Sequence, residues 1–187
     1  MTKELITKYF NNSQKIFTKI PTEKVLQLFT AINNVRKNNS TVFIAGNGGS
    51  ASTAAHFATD IGIGSLNRSN PVRALSLCDN SAALTAISND LEYSSIFEEQ
   101  LKLLGKKNDL LLVISASGNS VNLIKALELA TKIGIETYSL TGFDGGKIRE
   151  LTIERNVHIE TPKGEYGLVE DAHLAICHVI TECIRSI

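Results

Sequence analysis

The stretch VFIAGNGGSASTAAHFATD, residues 42–60, begins as a short apolar run and then passes into a loop of glycine and serine. The residues after the loop are typical of a helix, and this helix would carry His56 and Asp60. A buried strand that leads directly into a helix is the repeating unit of parallel α/β sheets. The stretch therefore predicts an α/β fold, while its loop alone is compatible with several kinds of site.

Further apolar runs repeat this arrangement, and each ends in a small or polar loop: RALSLCDNSA, LLLVISASGNS, TYSLTGFDGG and NVHIETPKGEYG. Runs as apolar as these suit strands that are buried on both faces, and their alternation with helices indicates parallel pairing. We therefore predict a single three-layer α/β domain over residues 1–187, with about five parallel strands flanked by helices.

Two helices are predicted before the first strand, over residues 1–38, because apolar residues recur there at helical spacing. Pro21 followed by Thr22 marks the break between them, with Thr22 as the expected N-cap. The last helix, roughly 165–185, is apolar on nearly all sides along its second half, as in helices packed on several sides. We therefore expect a second copy of the chain to cover part of it, with the N-terminal pair contributing to oligomerisation.

The composition argues against several classes of function. The 187 residues include 19 Lys and Arg and 19 Asp and Glu, so a basic surface for nucleic acid or membranes is not expected. No apolar run approaches the roughly 20 residues needed to cross a bilayer, and the N-terminus is too polar for a secretory signal. Because Cys78, Cys177 and Cys183 form no CxxC pair, we expect reduced thiols and a cytoplasmic location.

The loop GNGGSA has the form G-x-G-x-x-A that is found in dinucleotide-binding turns. The acid that usually binds the ribose lies about 20 residues further on. Asp79, which is expected to end the second strand, comes noticeably later, and no GK[ST] triplet is present for a Walker loop. A tight turn that needs glycine for its backbone angles would explain the same letters. The loop by itself leaves these alternatives open.

The loop SASGNS, residues 115–120, brings the hydroxyls of Ser115, Ser117 and Ser120 to the start of the predicted helix SVNLIKALELATK. Free backbone N–H groups and the helix dipole favour an anion at such a position. Ordinary N-capping by Ser117 or Asn119 would need only one of these side chains. The loop therefore predicts a phosphate site that suits a sugar phosphate.

Two pairs of polar residues lie on predicted helices. His56 and Asp60 are four residues apart and share a face. Glu170 and His178 are eight residues apart on the last helix, which separates them by about 80° around its axis. Two imidazoles and two carboxylates suit zinc or another divalent cation. His178 lies in the apolar segment AICHVI, where its ring needs a partner such as a carboxylate or a metal.

The other two histidines have simpler interpretations. A lone histidine on an apolar helix is more often a core residue with satisfied hydrogen bonds, and we interpret His173 in this way. His158, on a predicted strand near the surface, is given no functional role.

The ordered set GNGGSAxxxxHF, SND at 88–90, SASGNS, LTGxDGG and the C-terminal pair of histidines resembles the phosphoheptose isomerases of the sugar isomerase (SIS) domain family, over nearly the whole chain. The resemblance implies a five-stranded parallel SIS fold and a homotetramer with active sites at subunit interfaces. It also implies bound zinc, at one ion per subunit. The family reaction converts sedoheptulose 7-phosphate to D-glycero-D-manno-heptose 7-phosphate, a precursor of heptose in lipopolysaccharide or capsule.

The resemblance also implies site residues. The metal-binding histidines fall on His56 and His178, with Asp60 and Glu170 at the two carboxylate positions of the set. Substrate contacts fall on the polar loops and on Glu170: Asn47, Gly48, Gly49, Ser50, Asn89, Asp90, Ser115, Ala116, Ser117 and Ser120.

Three positions depart from the family pattern. Asp60 replaces a glutamate, which shortens that side chain by one methylene, and Glu170 replaces a glutamine, which adds a carboxylate. An arginine that usually follows the acidic position is absent from the segment IGIGS, residues 61–65.

Aldose-ketose isomerisation moves a proton between neighbouring carbons through an enediol, so it needs a base, an acid and stabilisation of the enediolate. Following the family positions, we assign Asp60 as the base and His178 as the acid, with Glu170 as the reserve base. A bound metal would polarise the carbonyl or order the open-chain sugar. Phosphate held by SASGNS would fix the far end of the substrate.

A non-catalytic SIS module that senses sugar phosphates or recruits a partner is the alternative. Relatives of that kind keep the serine loop and lose the acid-base residues, whereas this chain has both histidines and both carboxylates, which favours the enzyme. An NAD-dependent enzyme is a third interpretation and rests on GNGGSA only. We expect a small sugar phosphate as ligand, with no nucleotide cofactor and no nucleic-acid or membrane partner.

Overall fold

The structure is a computed structural model that describes residues 1–67 and 70–187. Its strands are β1 Thr41–Gly46, β2 Arg73–Ser76, β3 Leu110–Ser115, β4 Glu136–Thr141 and β5 Asn156–His158. They form a parallel sheet in the spatial order β2-β1-β3-β4-β5. The predicted α/β fold with a parallel sheet is confirmed.

Helices cover both faces of the sheet. They are α1 Thr2–Phe17, α2 Thr22–Lys37, α3 Gly49–Ile63, α4 Ser81–Asp90, α5 Ile96–Leu104, α6 Val121–Ile133, α7 Gly146–Leu151 and α8 Tyr166–Arg185. Short 3-10 turns lie at Tyr93–Ser95 and Ile153–Arg155. Within the described ranges, no helix combines the length and the apolar character needed to cross a membrane.

The central strand β3 shows how the two helix layers arise. All of its residues are buried, and successive side chains in a strand point to opposite faces. Leu110, Leu112 and Ile114 belong to the core that contains residues of α2, α3 and α8. Leu111 and Val113 belong to the core that contains residues of α5 and α6. Each face of the sheet therefore has its own hydrophobic layer.

The strand register brings the polar loops to one edge of the sheet. Gly46 at the end of β1 pairs with Ile114, and Ser115 at the end of β3 pairs with Thr141. Parallel strands end at a common edge, where α/β proteins usually bind ligands. The GNGG and SASGNS loops therefore leave the sheet side by side.

Two local predictions are wrong. Thr22 is the first residue of α2, and the N-cap position belongs to Pro21, which has no side-chain donor or acceptor. The second strand ends at Ser76 and not at Asp79, because the Ser76 hydroxyl accepts the N–H of Cys78 at 3.1 Å in a turn that ends the strand.

The helix α8 is buried on several sides but not on all. Ile176, Cys177 and Ile180 lie in the core, whereas Val179 is 54% exposed. The exposed side of α8 forms an apolar groove of about 330 Å³ with the end of α1 and with α2. Residues lining the groove include Phe17, Leu26, Phe29, Ala175, Val179 and Cys183.

Candidate active site

Two histidines and an aspartate converge between α3 and α8. The Nε2 atoms of His56 and His178 lie 3.1 Å apart, and His56 Nε2 lies 3.3 Å from Asp60 Oδ2. One ligand atom from each of the three residues lies within 4.8 Å of the others. His56 and Asp60 are one helical turn apart, so the backbone of α3 alone brings them together.

The cluster opens to solvent. The His56 side chain is 51% exposed and the Asp60 side chain 24% exposed. Two imidazole nitrogens at this distance share one proton or face a common cation, because two unprotonated nitrogens would repel each other. The three side chains therefore offer a site to a small cation or to the oxygen atoms of a substrate.

Glu170 lies at the other end of the α3–α8 contact. A Cβ atom built on Gly49 would overlap Glu170 Oε1, so the carboxylate packs directly on the first turn of α3. The dipole of α3 favours a negative charge at this position. The structure brings together three of the four predicted metal ligands, because the eight residues from Glu170 to His178 correspond to about 12 Å of helix.

The serine loop has the shape of an anion site. Ser115 Oγ accepts the N–H of Gly118 at 3.1 Å, which closes the loop, and Gly118 has a φ of +66°. The N-cap position of α6 belongs to Ser120 and its side chain makes no capping bond, so neither Ser117 nor Asn119 caps the helix. Within the described residues, the backbone N–H groups of Ser117, Ser120 and Val121 have no acceptor.

Side-chain hydrogen bonds connect the GNGG loop to α6 and to the turn at Tyr93–Ser95. Asn47 and Asn122 exchange two hydrogen bonds of 2.9 Å through their side-chain amides. The hydroxyl of Tyr93 donates to Asn47 Oδ1 at 2.8 Å. Asn89 and Asp90 end α4 on the exposed surface and bond to each other at 2.8 Å.

Two residues that bond to the GNGG loop, Asn122 and Tyr93, have no recognisable signal in the sequence. Asn122 lies two residues after the serine loop and is 3% exposed, but nothing in the local sequence identifies a partner that lies 75 residues away. Tyr93 lies three residues after Asp90, and no motif around it predicts a contact of its hydroxyl with Asn47.

His173 is buried but does not have satisfied hydrogen bonds, which corrects the interpretation of a satisfied core residue. It is fully buried, and neither ring nitrogen has a partner within the described residues. Burial lowers the pKa of His173 to about 4. The Thr141 backbone opposes this lowering, but its contact falls short of hydrogen-bond geometry, so burial dominates.

A cavity of about 890 Å³ lies apart from these residues, near the ends of β4 and β5. Lys19, Arg149 and Lys163 line it together with Asp144 and Glu160, so charges of both signs are mixed there. None of the predicted site residues lines it. The convergent cluster and the two loops, rather than this cavity, form the candidate active site.

The sequence and the fold are similar to those of known proteins. The SIS domain family matches residues 8–142. A phosphoheptose isomerase of Helicobacter pylori (strain Shi470) is 42% identical over 150 residues, which cover 80% of this chain and 76% of the relative. A phosphoheptose isomerase of Aliarcobacter butzleri is 35% identical over 190 residues, with 98% and 97% coverage. The solved phosphoheptose isomerase of Neisseria gonorrhoeae superimposes with a TM-score of 0.90 at 30% identity, with both chains covered completely.

Proposed function

The chain belongs to the SIS domain family, among its phosphoheptose isomerases, and on this premise we propose how its residues isomerise a sugar phosphate. The protein is a sugar-phosphate isomerase. Its reaction converts sedoheptulose 7-phosphate to D-glycero-D-manno-heptose 7-phosphate through an enediol. The observation that supports our residue assignment is the convergence of His56, Asp60 and His178 between α3 and α8.

The serine loop binds the phosphate, and the reacting groups lie on α3 and α8. Ser115, Ser117 and Ser120 supply hydroxyls, and the first turn of α6 supplies free N–H groups for a dianion. His56 comes seven residues after Gly49, which places it about 10 Å along α3 from the loops. An extended sugar phosphate reaches from one region to the other, so binding of its phosphate positions its reacting carbons.

Asp60 removes the proton from the carbon beside the carbonyl, and His178 protonates the carbonyl oxygen. Asp60 Oδ2 faces His56, which leaves the second carboxylate oxygen available to the substrate. Glu170 lies at the loop end of the site, where it contacts the substrate, and its separation of about 12 Å along α8 from His178 favours Asp60 over this reserve base. The start of α3 and the loop before it supply further proposed substrate contacts: Asn47, Gly48, Gly49 and Ser50. The serine loop and the end of α4 supply the remaining ones: Ala116, Asn89 and Asp90.

The three converging side chains also fit a zinc ion. Tetrahedral zinc with nitrogen and oxygen ligands at about 2.0 Å has ligand–ligand separations of about 3.3 Å. Two of the three separations in the cluster, 3.1 Å and 3.3 Å, agree with this value, and all three ligand atoms lie within 4.8 Å of one another. We therefore assign one zinc per subunit to His56, Asp60 and His178, with Glu170 outside this set. When bound, the metal would supply Lewis-acid polarisation of the carbonyl in place of the proton of His178, because a histidine nitrogen that binds a metal carries no proton.

The chain acts as one SIS domain whose N-terminal helices, residues 1–38, take part in a homotetramer. The apolar groove along α8 and the exposed apolar side chains of α1 support this proposal, since large exposed apolar areas mark interfaces. A second subunit would also cover the open His56–His178 cluster.

The decisive experiment is incubation of the native protein with sedoheptulose 7-phosphate in deuterated water, followed by product analysis by NMR. We expect the aldose product with solvent deuterium at the proton-accepting carbon, to the extent that the abstracted proton exchanges. Tight binding without conversion or exchange of this or related ketose phosphates would instead support a non-catalytic module.

The base is identified by two isosteric variants. Asp60→Asn cannot accept the proton, so kcat should fall by about 10²–10⁴-fold, while substrate affinity changes much less. Glu170→Gln restores the residue of the family and should be milder. If Glu170→Gln abolishes turnover and Asp60→Asn does not, Glu170 is the base.

A further inference from the structure

The side chains of Asn47 and Asn122 form a closed pair of hydrogen bonds between two loops of the candidate site. Asn47 Nδ2 donates to Asn122 Oδ1, and Asn122 Nδ2 donates to Asn47 Oδ1, both at 2.9 Å. Asn122 is 3% exposed and lies in the first turn of α6, directly after the serine loop. The pair therefore links the GNGG loop to the proposed phosphate site.

The orientation of both amides follows from their neighbours. The backbone N–H of Leu123 donates to Asn122 Oδ1 at 3.0 Å, which requires an oxygen at that position. Asn47 must then direct its nitrogen to Asn122 Oδ1 and its oxygen to Asn122 Nδ2. The hydroxyl of Tyr93 donates to this same oxygen at 2.8 Å.

The hydrogen-bonding capacity of Asn47 is therefore almost used up. An amide oxygen accepts two hydrogen bonds and an amide nitrogen donates two. Asn47 Oδ1 already accepts from Asn122 and Tyr93, and Asn47 Nδ2 already donates once. One N–H remains, so a ligand that touches this side chain must present an acceptor, such as a phosphate or hydroxyl oxygen.

A second contact ties the Tyr93 segment to the same helix. Lys125, one turn after Asn122, donates to Glu92 and to Ser94 Oγ, the latter at 2.8 Å. The Lys125 ammonium holds the pKa of Glu92 low, at about 2. The first turns of α6 are thus bonded both to the GNGG loop and to the segment that follows Asn89 and Asp90.

We propose that Asn122 and Tyr93 are positioning residues, which hold Asn47 as a donor of one hydrogen bond to the sugar phosphate and fix its loop relative to the serine loop. Neither residue needs to touch the substrate. The proposal rests on the proposed function, because it takes Asn47 as a substrate contact.

The test is a double-mutant cycle that combines Asn122→Ala with Asn47→Ala. A reacting group displaced by about 1 Å can lose about a hundredfold in rate. We therefore expect Asn122→Ala to lower kcat/KM by about ten- to a hundredfold in the native background, and by less than about threefold when Asn47 is already alanine. Tyr93→Phe should show a smaller loss that also disappears in the Asn47→Ala background.

A buried asparagine outside the site is the matched control. Asn156 is 5% exposed and bonds to Ser139 and Thr141. Asn156→Ala should lower the Tm without changing kcat/KM. If Asn122→Ala fails to fold, Asn122→Asp keeps its shape but cannot donate to Asn47 Oδ1, and the same cycle applies.

Equal losses from the Asn122 variant in both backgrounds would overturn the proposal, because Asn122 would then act independently of Asn47. The cycle is measured on the Kd for sedoheptulose 7-phosphate as well as on kcat/KM. If the native protein binds the sugar phosphate but does not convert it, the proposed reaction is overturned. The coupling between Asn122 and Asn47 can then still be measured from the Kd values of the four proteins in the cycle. Absence of both binding and turnover overturns both proposals.

Discussion

Ser117 lies half-buried in the serine loop, and among the described residues its Oγ is engaged only by the N–H of Asn119, at 3.4 Å. Such a weakly bonded hydroxyl is free to donate to a phosphate. Loss of one hydrogen bond to a charged group costs about 1.5–3 kcal/mol. We expect Ser117→Ala to raise KM by about ten- to a hundredfold and to weaken inorganic phosphate as a competitor.

Steady-state kinetics with phosphate as inhibitor measures both effects. Ser186→Ala is the control, because that hydroxyl bonds to the Cys183 backbone at the far end of α8. Unchanged affinity of Ser117→Ala for substrate and for phosphate would contradict the assignment of the loop.

His173 makes the stability of the protein depend on pH. Its pKa in the folded state is about 4, lowered by burial from the value of 6.5 for the free side chain. Between these values the unfolded chain binds a proton that the folded chain does not, so stability is full above about pH 6.5 and falls toward pH 4. The loss amounts to roughly 3 kcal/mol at the lower limit.

Urea unfolding at pH 7.5 and at pH 4.5, with protein concentration held fixed, measures this loss. His173→Leu cannot take up a proton and should show a smaller decrease in stability than the native protein. An identical pH dependence in the two proteins would show that His173 does not contribute.

At the scale of elements, a bound zinc ion would cross-link α3 and α8 through side chains that are 122 residues apart in the sequence. A ligand that binds only the folded state at a thousandfold its Kd adds about 4 kcal/mol of stability. For a chain of this length the Tm should rise by roughly 10 °C. We expect this shift on adding zinc to chelator-treated protein, and its loss in His56→Ala and His178→Ala.

Two further variants define the ligand set. Glu170→Ala should keep the shift, because Glu170 packs on Gly49 and outside the cluster. Glu182→Ala is the matched control, since Glu182 lies on α8 and pairs with Arg185. If Glu170→Ala releases the metal, four residues bind it and α8 rearranges on binding.

Local patterns were sufficient to predict most elements. The apolar run of β3 and the helical spacing before β1 identify their structures because burial and periodicity are properties of neighbouring residues. The proximity of His56 to Asp60 follows in the same way from a spacing of four residues. The strand-to-helix order then gives the parallel sheet, because parallel strands need such connections.

Contacts between distant elements could not be predicted in this way. Helical spacing predicts that Glu170 and His178 lie about 80° apart around the axis of α8. Only the packing of α8 against α3 shows that Glu170 contacts Gly49. The Asn47–Asn122 pair joins loops that share an edge of the sheet only because β1 pairs with β3. Asparagine in a loop is equally suited to a turn, so its partner is not encoded locally.

For the whole molecule, α1 is notable because most of its surface is exposed. Ile16 is its only buried residue, and the Tyr9 hydroxyl anchors the helix to Asp171 of α8 at 2.7 Å. This bond raises the pKa of Tyr9 to about 12. Phe10 is 66% exposed, although aromatic side chains usually lie in cores or interfaces. The exposed side of α1 therefore suits contact with another subunit.

Oligomerisation and catalysis should fail together. The cluster of His56 and His178 is exposed to solvent in a single chain. Exclusion of water protects a reactive enediol from side reactions, so isomerisation should need a subunit that covers the cluster. Val179, the residue after His178, lines the apolar groove along α8, so Val179→Asp places a charge where a partner would pack. We expect light scattering to show a tetramer for the native protein and smaller species for Val179→Asp, with turnover reduced by about tenfold or more.

Leu103→Asp is the control, because Leu103 is 84% exposed on α5, away from the groove. A native monomer with full activity, or a Val179→Asp tetramer with unchanged turnover, would contradict this assignment of the groove.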